Sequence, residues 1–387
     1  MIKREIEKVL QELATQYPII TVTGPRQSGK TTLVKGVFSK KPYVNLENLS
    51  VRALAFSDPV GLLKKYPEGA ILDEIQRAPE LLSYIQEIVD ENDQKGQFIL
   101  SGSHQLELHQ AITQSLAGRN VLLTLLPLSL SELAAADINL ELDQYLYQGF
   151  FPRIYKDKLN PTTTYQSYVR TYIERDVRQL INIKDLHTFQ QFIQICASRV
   201  GQILNVHSLS NDLGMSNHTI KSWLSILEAS YLIVLLQPYY ENFGKRIIKS
   251  PKLYFTDIGL VTYLLNIENL SQLERDPLRG YLIENLVVIE LFKARYNKGR
   301  EPNFYFFRDN NNNEVDLIFK LGNQLIPIEI KSGKTFHADF LKGLKYFKSL
   351  VDNRCDKGFL IYTGKEEQRI EDFYLINYKN GSVIIND

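Results

Sequence analysis

At 387 residues the chain exceeds one ordinary core and calls for two or three domains, and 44% hydrophobic with 23% charged residues is the composition of a globular protein. A net charge of +1 excludes a generally basic nucleic-acid binder, so any such contact has to come from local patches. Cys196 and Cys355 are too few for a disulfide framework or a zinc site, which suits a reducing cytoplasm.

The opening MIKREIEKVLQEL places Ile2, Ile6, Val9, Leu10 and Leu13 at helical spacing between charges, without the apolar stretch and cleavage site of a signal peptide. No run of about 18 apolar residues follows anywhere, so no membrane span is expected.

The segment PIITVTGPRQSGKTTLVKGVF carries the most specific signal. A short β-rich strand (18–23) leads into Gly24, Pro25, Arg26, Gln27, Ser28, Gly29, Lys30 and Thr31, which fit G-x-x-x-x-G-K-[ST], and a helix is expected from Thr32. The glycines let the loop wrap so that backbone N–H groups face phosphates, and the helix N-terminus favours the anion. Lys30 is expected to reach the β- and γ-phosphates of ATP, and the Thr31 hydroxyl to join the shell of a Mg²⁺ ion.

GAILDEIQRAPELL then supplies the acidic partner such a loop needs. Ala70, Ile71 and Leu72 read as a buried parallel strand ending in Asp73 and Glu74. Asp73 is the expected Mg²⁺ ligand. Glu74 is either the base that polarises the attacking water or a cap of the next helix. QFILSGSHQL reads as a further strand, with Ser101 or Ser103 placed to orient that water or to cap a helix.

GPRQSGKTTL, LDEIQRAPELL, ILSGSHQLEL and SLAGRNVLLTLLPLSLSEL, and later QGFFPRIY, YIERDV, LYFTDIGL, GYLIENLVVIEL and EVDLIF with IPIEIKSG, resemble a bacterial and archaeal family of AAA-type P-loop ATPases. The family carries a C-terminal domain of unknown function with a restriction-endonuclease-like core. The resemblance covers nearly the whole chain and implies ATP binding and hydrolysis. One departure is Gln148-Gly149-Phe150, where the family shows Gly-Gly before the aromatic step. An ATPase of this class also uses a cation at the γ-phosphate. Arg119 in SLAGRN is the first candidate and Arg175 in YIERDV the second, acting within the chain or from a neighbouring subunit of a homo-oligomer.

Residues 161–195 read as helices of a lid. In VHSLSNDLGMSNHTIKSWLSILEASYLIVLLQPYY, Leu209 and Leu213 mark one short helix, Gly214 a turn and Ser216 a cap. Ile220, Trp223, Leu224 and Leu227 line the buried face of a second helix. With the strands YLIVLLQPYY and KLYFTD this makes a winged helix-turn-helix. Its expected exposed positions, Asn217, His218, Thr219, Lys221 and Ser222, hold one fixed positive charge, and Lys245, Arg246, Lys249 and Lys252 form a basic wing. The module is either a DNA contact or a purely structural or protein-docking element.

At the rear, Glu284 lies on an amphipathic helix, Asp316 on the strand NEVDLIFKL, and Glu329 and Lys331 on PIEIKSG, with a hairpin turn at Gly322-Asn323. That is the pattern of a restriction-endonuclease-like centre, in which carboxylates hold Mg²⁺ and the lysine steadies the attacking hydroxide. The alternative is charge decoration on a sheet. The six histidines show no H-x-x-x-H spacing, which argues against zinc, and no G-x-S-x-G occurs.

The expected architecture is α/β in three parts: an AAA-type P-loop core (1–150), a helical lid with winged helix-turn-helix (151–270), and a mixed α/β restriction-endonuclease-like domain (271–387). Two functions fit it. One is an ATPase whose nucleotide state governs a DNA-directed tail. The other is a nucleotide-gated switch that binds protein partners through inactive rear modules.

Overall fold

The computed structural model describes residues 2–92, 94–103, 116–172, 186–240 and 249–385. The front carries a parallel sheet of β1 (Ile19–Thr23), β2 (Tyr43–Asn45), β3 (Ile71–Asp73), β4 (Phe98–Gly102) and β5 (Asn120–Thr124), in the spatial order β2-β3-β4-β1-β5. Every residue of β1, β3 and β4 is buried, as their unbroken apolar runs require of strands covered on both faces. β1 sits between β4 and β5, so its C-terminal end opens between two parallel neighbours, where an α/β sheet binds ligands.

The middle of the chain folds as two helices, Val206–Leu213 and Asn217–Ala229, followed by an antiparallel ribbon of β6 (Ile233–Leu236) and β7 (Lys252–Phe255). Gly214 ends the first helix at φ +63°, a left-handed conformation that glycine adopts without strain. The Ser216 hydroxyl accepts the Thr219 N–H to start the second helix. Ile220, Trp223, Leu224 and Leu227 are buried, as their spacing demands, and Trp223 meets Phe189 and Phe192 edge-on. Of the four expected wing cations, Lys245 and Arg246 lie outside the described residues and Lys249 is exposed. Lys252 is a correction: it is 3% exposed, turned inward from β7, and takes no part in a basic surface.

The rear sheet has the order β12-β13-β11-β10-β9-β8, built from β8 (Phe304–Arg308), β9 (Glu314–Leu321), β10 (Gln324–Lys331), β11 (Gly358–Tyr362), β12 (Gln368–Ile370) and β13 (Phe373–Asn377). β9 and β10 pair antiparallel from Leu321 and Gln324, so the hairpin turns at Gly322 (φ +61°) and Asn323. β10 alternates between the two faces of the sheet. Ile326, Ile328 and Ile330 pack into the core of the helix Arg279–Tyr296, while Leu325 packs with Leu344 and Phe347 of the helix Lys342–Val351. One hydrophobic core runs unbroken from Leu126 to Ile385, so the segment after β5, the middle helices and the rear sheet are packed together. Among the described residues no helix is long and apolar enough to cross a membrane.

Candidate functional site

β1 ends at Thr23, and the chain turns through Gly24 into the loop that starts the helix Lys30–Val37. Gly24 has φ +144°, and a Cβ there would stand 2.1 Å from the Leu125 carbonyl oxygen, so only glycine lets the loop cross β5 at this point. Gly29 has φ +94° and leaves the first N–H groups of the helix facing outward. Lys30 folds back over its own loop, donating to the carbonyls of Gly24 (2.9 Å) and Pro25 (2.8 Å). Burial pushes its ammonium down to about 8, against the upward pull of Glu74 and Asp73.

The parallel register fixes the acidic side of the site. Asp73 is paired with Ser101 across β3 and β4, and its carboxylate collects the hydroxyls of Ser101, Tyr43 (2.6 Å) and Thr31 (3.0 Å). These three partners are oxygens, the donor chemistry that Mg²⁺ selects. Burial and the hydrogen bond to Asp73 push the Tyr43 phenol up. Glu74 follows at φ +58°, a strained conformation for a non-glycine residue, and this swings its side chain off the line of β3. It makes no side-chain cap to the helical turn Ile75–Arg77. Its carboxylate instead takes the Gln76 amide and the Ser103 hydroxyl (3.2 Å). The two serines are thereby separated: Ser101 serves Asp73 and Ser103 serves Glu74.

Lys30, Thr31, Thr32 and Glu74 line one cavity of about 530 Å³, within the range of small-molecule sites. Its outer wall brings Arg153, Lys156 and Tyr172 from segments beyond the first sheet. Arg26 reaches Glu47 (3.6 Å) and lies 5.2 Å from the Tyr172 ring centre. Gln27 takes φ +65°, and the Ser28 carbonyl accepts from Arg4 (2.8 Å). Arg4 was invisible as a site residue, a charge in an amphipathic N-terminal pattern. In the fold it is buried against Glu132 and braces the loop from beneath.

Arg119 stands apart from the loop of its own chain. It precedes β5 at the opposite end of the sheet, where its carbonyl accepts from Ile19, one five-residue strand before Gly24. That is about 16 Å along an extended chain. Its guanidinium is held by Asp90 on the surface, so within one chain it does not serve the loop. Arg175 lies outside the described residues. Gly149 at φ +63° is the residue the QGFF turn depends on, since a Cβ there would stand 2.0 Å from the Tyr165 hydroxyl. Gln148 contributes its backbone carbonyl to that hydroxyl, a contact that does not require a particular side chain.

The rear cluster differs from its expectation in one respect. Glu284, Asp316, Glu329 and Lys331 do lie together, but a fifth residue stands among them. The Lys252 ammonium is 2.6 Å from Glu314, 3.1 Å from Glu284 and 3.7 Å from Asp316. Tyr254 donates to Glu284 (2.6 Å), the Ile330 N–H donates to Asp316 (2.8 Å), and Lys331 is paired with Glu329. Burial raises the Glu284 carboxyl to about 7 and the Glu329 carboxyl to about 8, with the Asp316 charge adding to both. Among the described residues no three acidic, histidine or cysteine side chains are disposed to share one ion. Two ammonium groups, Lys252 and Lys331, stand beside these carboxylates.

Residues 16–134 match the family described as "AAA domain", and residues 139–271 and 279–380 match two domains of unknown function, DUF8612 and DUF4143. An uncharacterized protein of Mycobacterium tuberculosis is 27% identical over 374 residues, 96% of this chain and 82% of that protein. An uncharacterized protein of Haemophilus influenzae is 25% identical over 98% of each chain. Among solved structures, the Walker-type ATPase PABY2304 of Pyrococcus abyssi aligns with 68% of this chain and 96% of its own at 14% identity, with a TM-score of 0.47.

Proposed function

The chain belongs to the AAA-type P-loop ATPases and carries a C-terminal domain of unknown function, and on that footing we propose that it binds ATP in the Gly24–Thr32 cavity and hydrolyses it. The observation that carries this reading is the Glu74 carboxylate, oriented by Gln76 and Ser103 in the cavity that Lys30 and Thr31 line. Lys30 releases the Gly24 and Pro25 carbonyls and turns to the phosphates. Glu74 takes the proton of the attacking water, and Ser103 holds that carboxylate in line. Thr31 and Asp73 would hold Mg²⁺, which neutralises developing phosphate charge when bound. Arg153 and Lys156 supply positive charge within the chain, the role that Arg119 does not reach. The test is nucleotide binding and phosphate release by the full chain with Mg²⁺, beside Lys30→Ala, which should bind no nucleotide. Equal affinity in the two would overturn the assignment of the loop.

A specific contact supports coupling of this site to the middle module. The Tyr231 hydroxyl lies 2.6 Å from that of Thr23, the residue before Gly24, and Tyr231 links the helix Asn217–Ala229 to β6 at φ +56°. We read that helix pair and ribbon as a winged helix-turn-helix, and the rear helix and sheet as a restriction-endonuclease-like core. Lys252 favours docking over cleavage for both. It is turned away from any DNA-facing wing, and its ammonium lies beside two of the carboxylates, Glu284 and Asp316, that a nuclease would use to hold a metal. DNA affinity with a steep salt dependence, or Mg²⁺-dependent cleavage, would reverse that reading.

A further inference from the structure

A second cavity, about 620 Å³, lies between the middle ribbon and the rear sheet. Its two walls are strand edges. β6 and β8 meet at a parallel bridge between Pro238 and Phe306, where the Phe306 N–H donates to Gln237 (3.1 Å) and the Tyr239 N–H to Phe306 (2.7 Å). Beyond that bridge, which the chain just after β6 makes through Pro238, residues of both strands line the cavity. On β6 the Thr256 N–H donates to Leu232, so the antiparallel alternation turns Ile233 and Leu235 away from β7 and toward the cavity. The outward groups of Leu235 meet side chains of their own module: its N–H donates to Glu228 (3.4 Å) and its carbonyl accepts from the Gln237 amide (3.0 Å). β8 is likewise an edge strand, last in the rear sheet. An edge whose outward groups at Leu235 are met by side chains and not by a neighbouring strand is a template for another strand.

The chemistry of the walls narrows the occupant. Phe292 and Tyr296 line the cavity with Glu228 and Glu301, and no lysine or arginine does so among the described residues. Two carboxylates repel the phosphates of a nucleic acid and attract a cation. Aromatic faces beside them add to that attraction.

We propose that this cavity is a docking groove for an extended peptide segment of a protein partner, added as a strand along β6 and β8, with a lysine or arginine side chain set against Glu228 and Glu301. Backbone pairing supplies affinity and the basic side chain supplies selectivity, the division of labour in strand-addition recognition. The groove is distinct from the Gly24–Thr32 cavity, and its occupation does not depend on ATP turnover.

The probe is a fluorescein-labelled octapeptide of alternating valine and threonine with one central arginine, titrated against the full chain by anisotropy. Three companions are a central-glutamate peptide, a peptide N-methylated at alternate amides, and the variant Glu228→Lys/Glu301→Lys. Both glutamates are exposed and the variant gives up only the long Leu235 N–H contact of Glu228, so it should fold, which unchanged Trp223 fluorescence and ATP turnover would verify. The arginine peptide should bind at least about tenfold more tightly than the glutamate peptide, a difference set by charge pairing in a partly desolvated groove. The variant should invert that preference, and N-methylation should remove binding. The proposal is overturned if no peptide binds below roughly 1 mM, or if binding ignores the charge reversal or survives N-methylation. It is also overturned if the groove is closed by a second copy of the chain, seen as self-association that the arginine peptide does not displace.

Discussion

Lys252→Met removes the ammonium of the rear cluster while keeping the length of the side chain. The lysine is 3% exposed and stands within 2.6–3.7 Å of Glu314, Glu284 and Asp316, so its loss leaves buried carboxylates without their nearest counter-charge. Breaking a buried pair in this way costs about 3–5 kcal/mol. The cost depends on pH with a definite sign. Burial holds the folded Glu284 carboxyl at about 7, above its ordinary value of 4.5, so its contribution is fully present below the unfolded value and drains away as pH rises through 7. Lys252 is the largest charge holding that value down, and without it the drain continues to higher pH. The deficit of the variant should therefore grow by up to about 1.4 kcal/mol per pH unit above neutrality. Urea unfolding followed by Trp223, the chain's single tryptophan and part of the same module as β7, reads this directly. A double variant with Glu284→Gln should recover part of the loss. An unchanged urea midpoint, or a deficit equal at pH 6 and pH 8.5, would refute the view that Lys252 is the working cation of the cluster.

Nucleotide affinity should fall above pH 8, because the empty loop releases the Lys30 proton at about 8 while bound phosphate retains it. The fall approaches tenfold per pH unit by proton linkage, roughly 1.4 kcal/mol each, and calorimetry in buffers of different ionisation heat would show the proton taken up. A flat profile from pH 7 to 9.5 would contradict it. Tyr231→Phe should cost about 1 kcal/mol, the ordinary net worth of one hydrogen bond, and should remove any nucleotide-dependent change in hydrogen exchange across β6. Retention of that change would place the coupling elsewhere.

The loop was readable because its chemistry is local: eight consecutive residues dictate the glycine positions, the lysine and the helix start. The helix pair was readable for the same reason, from one glycine turn, one serine cap and a four-residue apolar stripe. The choice between Ser101 and Ser103 could not be read, because it depends on the register of β3 against β4, which pairs Asp73 with Ser101. The place of Arg119 in its own chain is not legible in the motif, because a motif does not announce which end of its strand faces the loop. It precedes β5, so a parallel sheet carries it away from the site. The sequence points Lys252 to the wing, since a basic residue near other basic residues reads as surface. Its partners Glu284, Glu314 and Asp316 lie 32 or more residues downstream, and only the packing of β7 against the rear helix and β9 joins them. Arg4 and Tyr231 belong to the same class: single polar residues whose role is set by contacts more than 100 residues away.

The central claim is that Glu74 is the base for ATP hydrolysis, and Glu74→Gln addresses it most directly. The substitution keeps the side chain's shape and its contacts with Gln76 and Ser103 but removes the proton acceptor. Single-turnover phosphate release should fall by about 10²–10⁴-fold, the range for a positioned general base, while nucleotide affinity stays at the wild-type value. Wild-type turnover in Glu74→Gln would contradict the account.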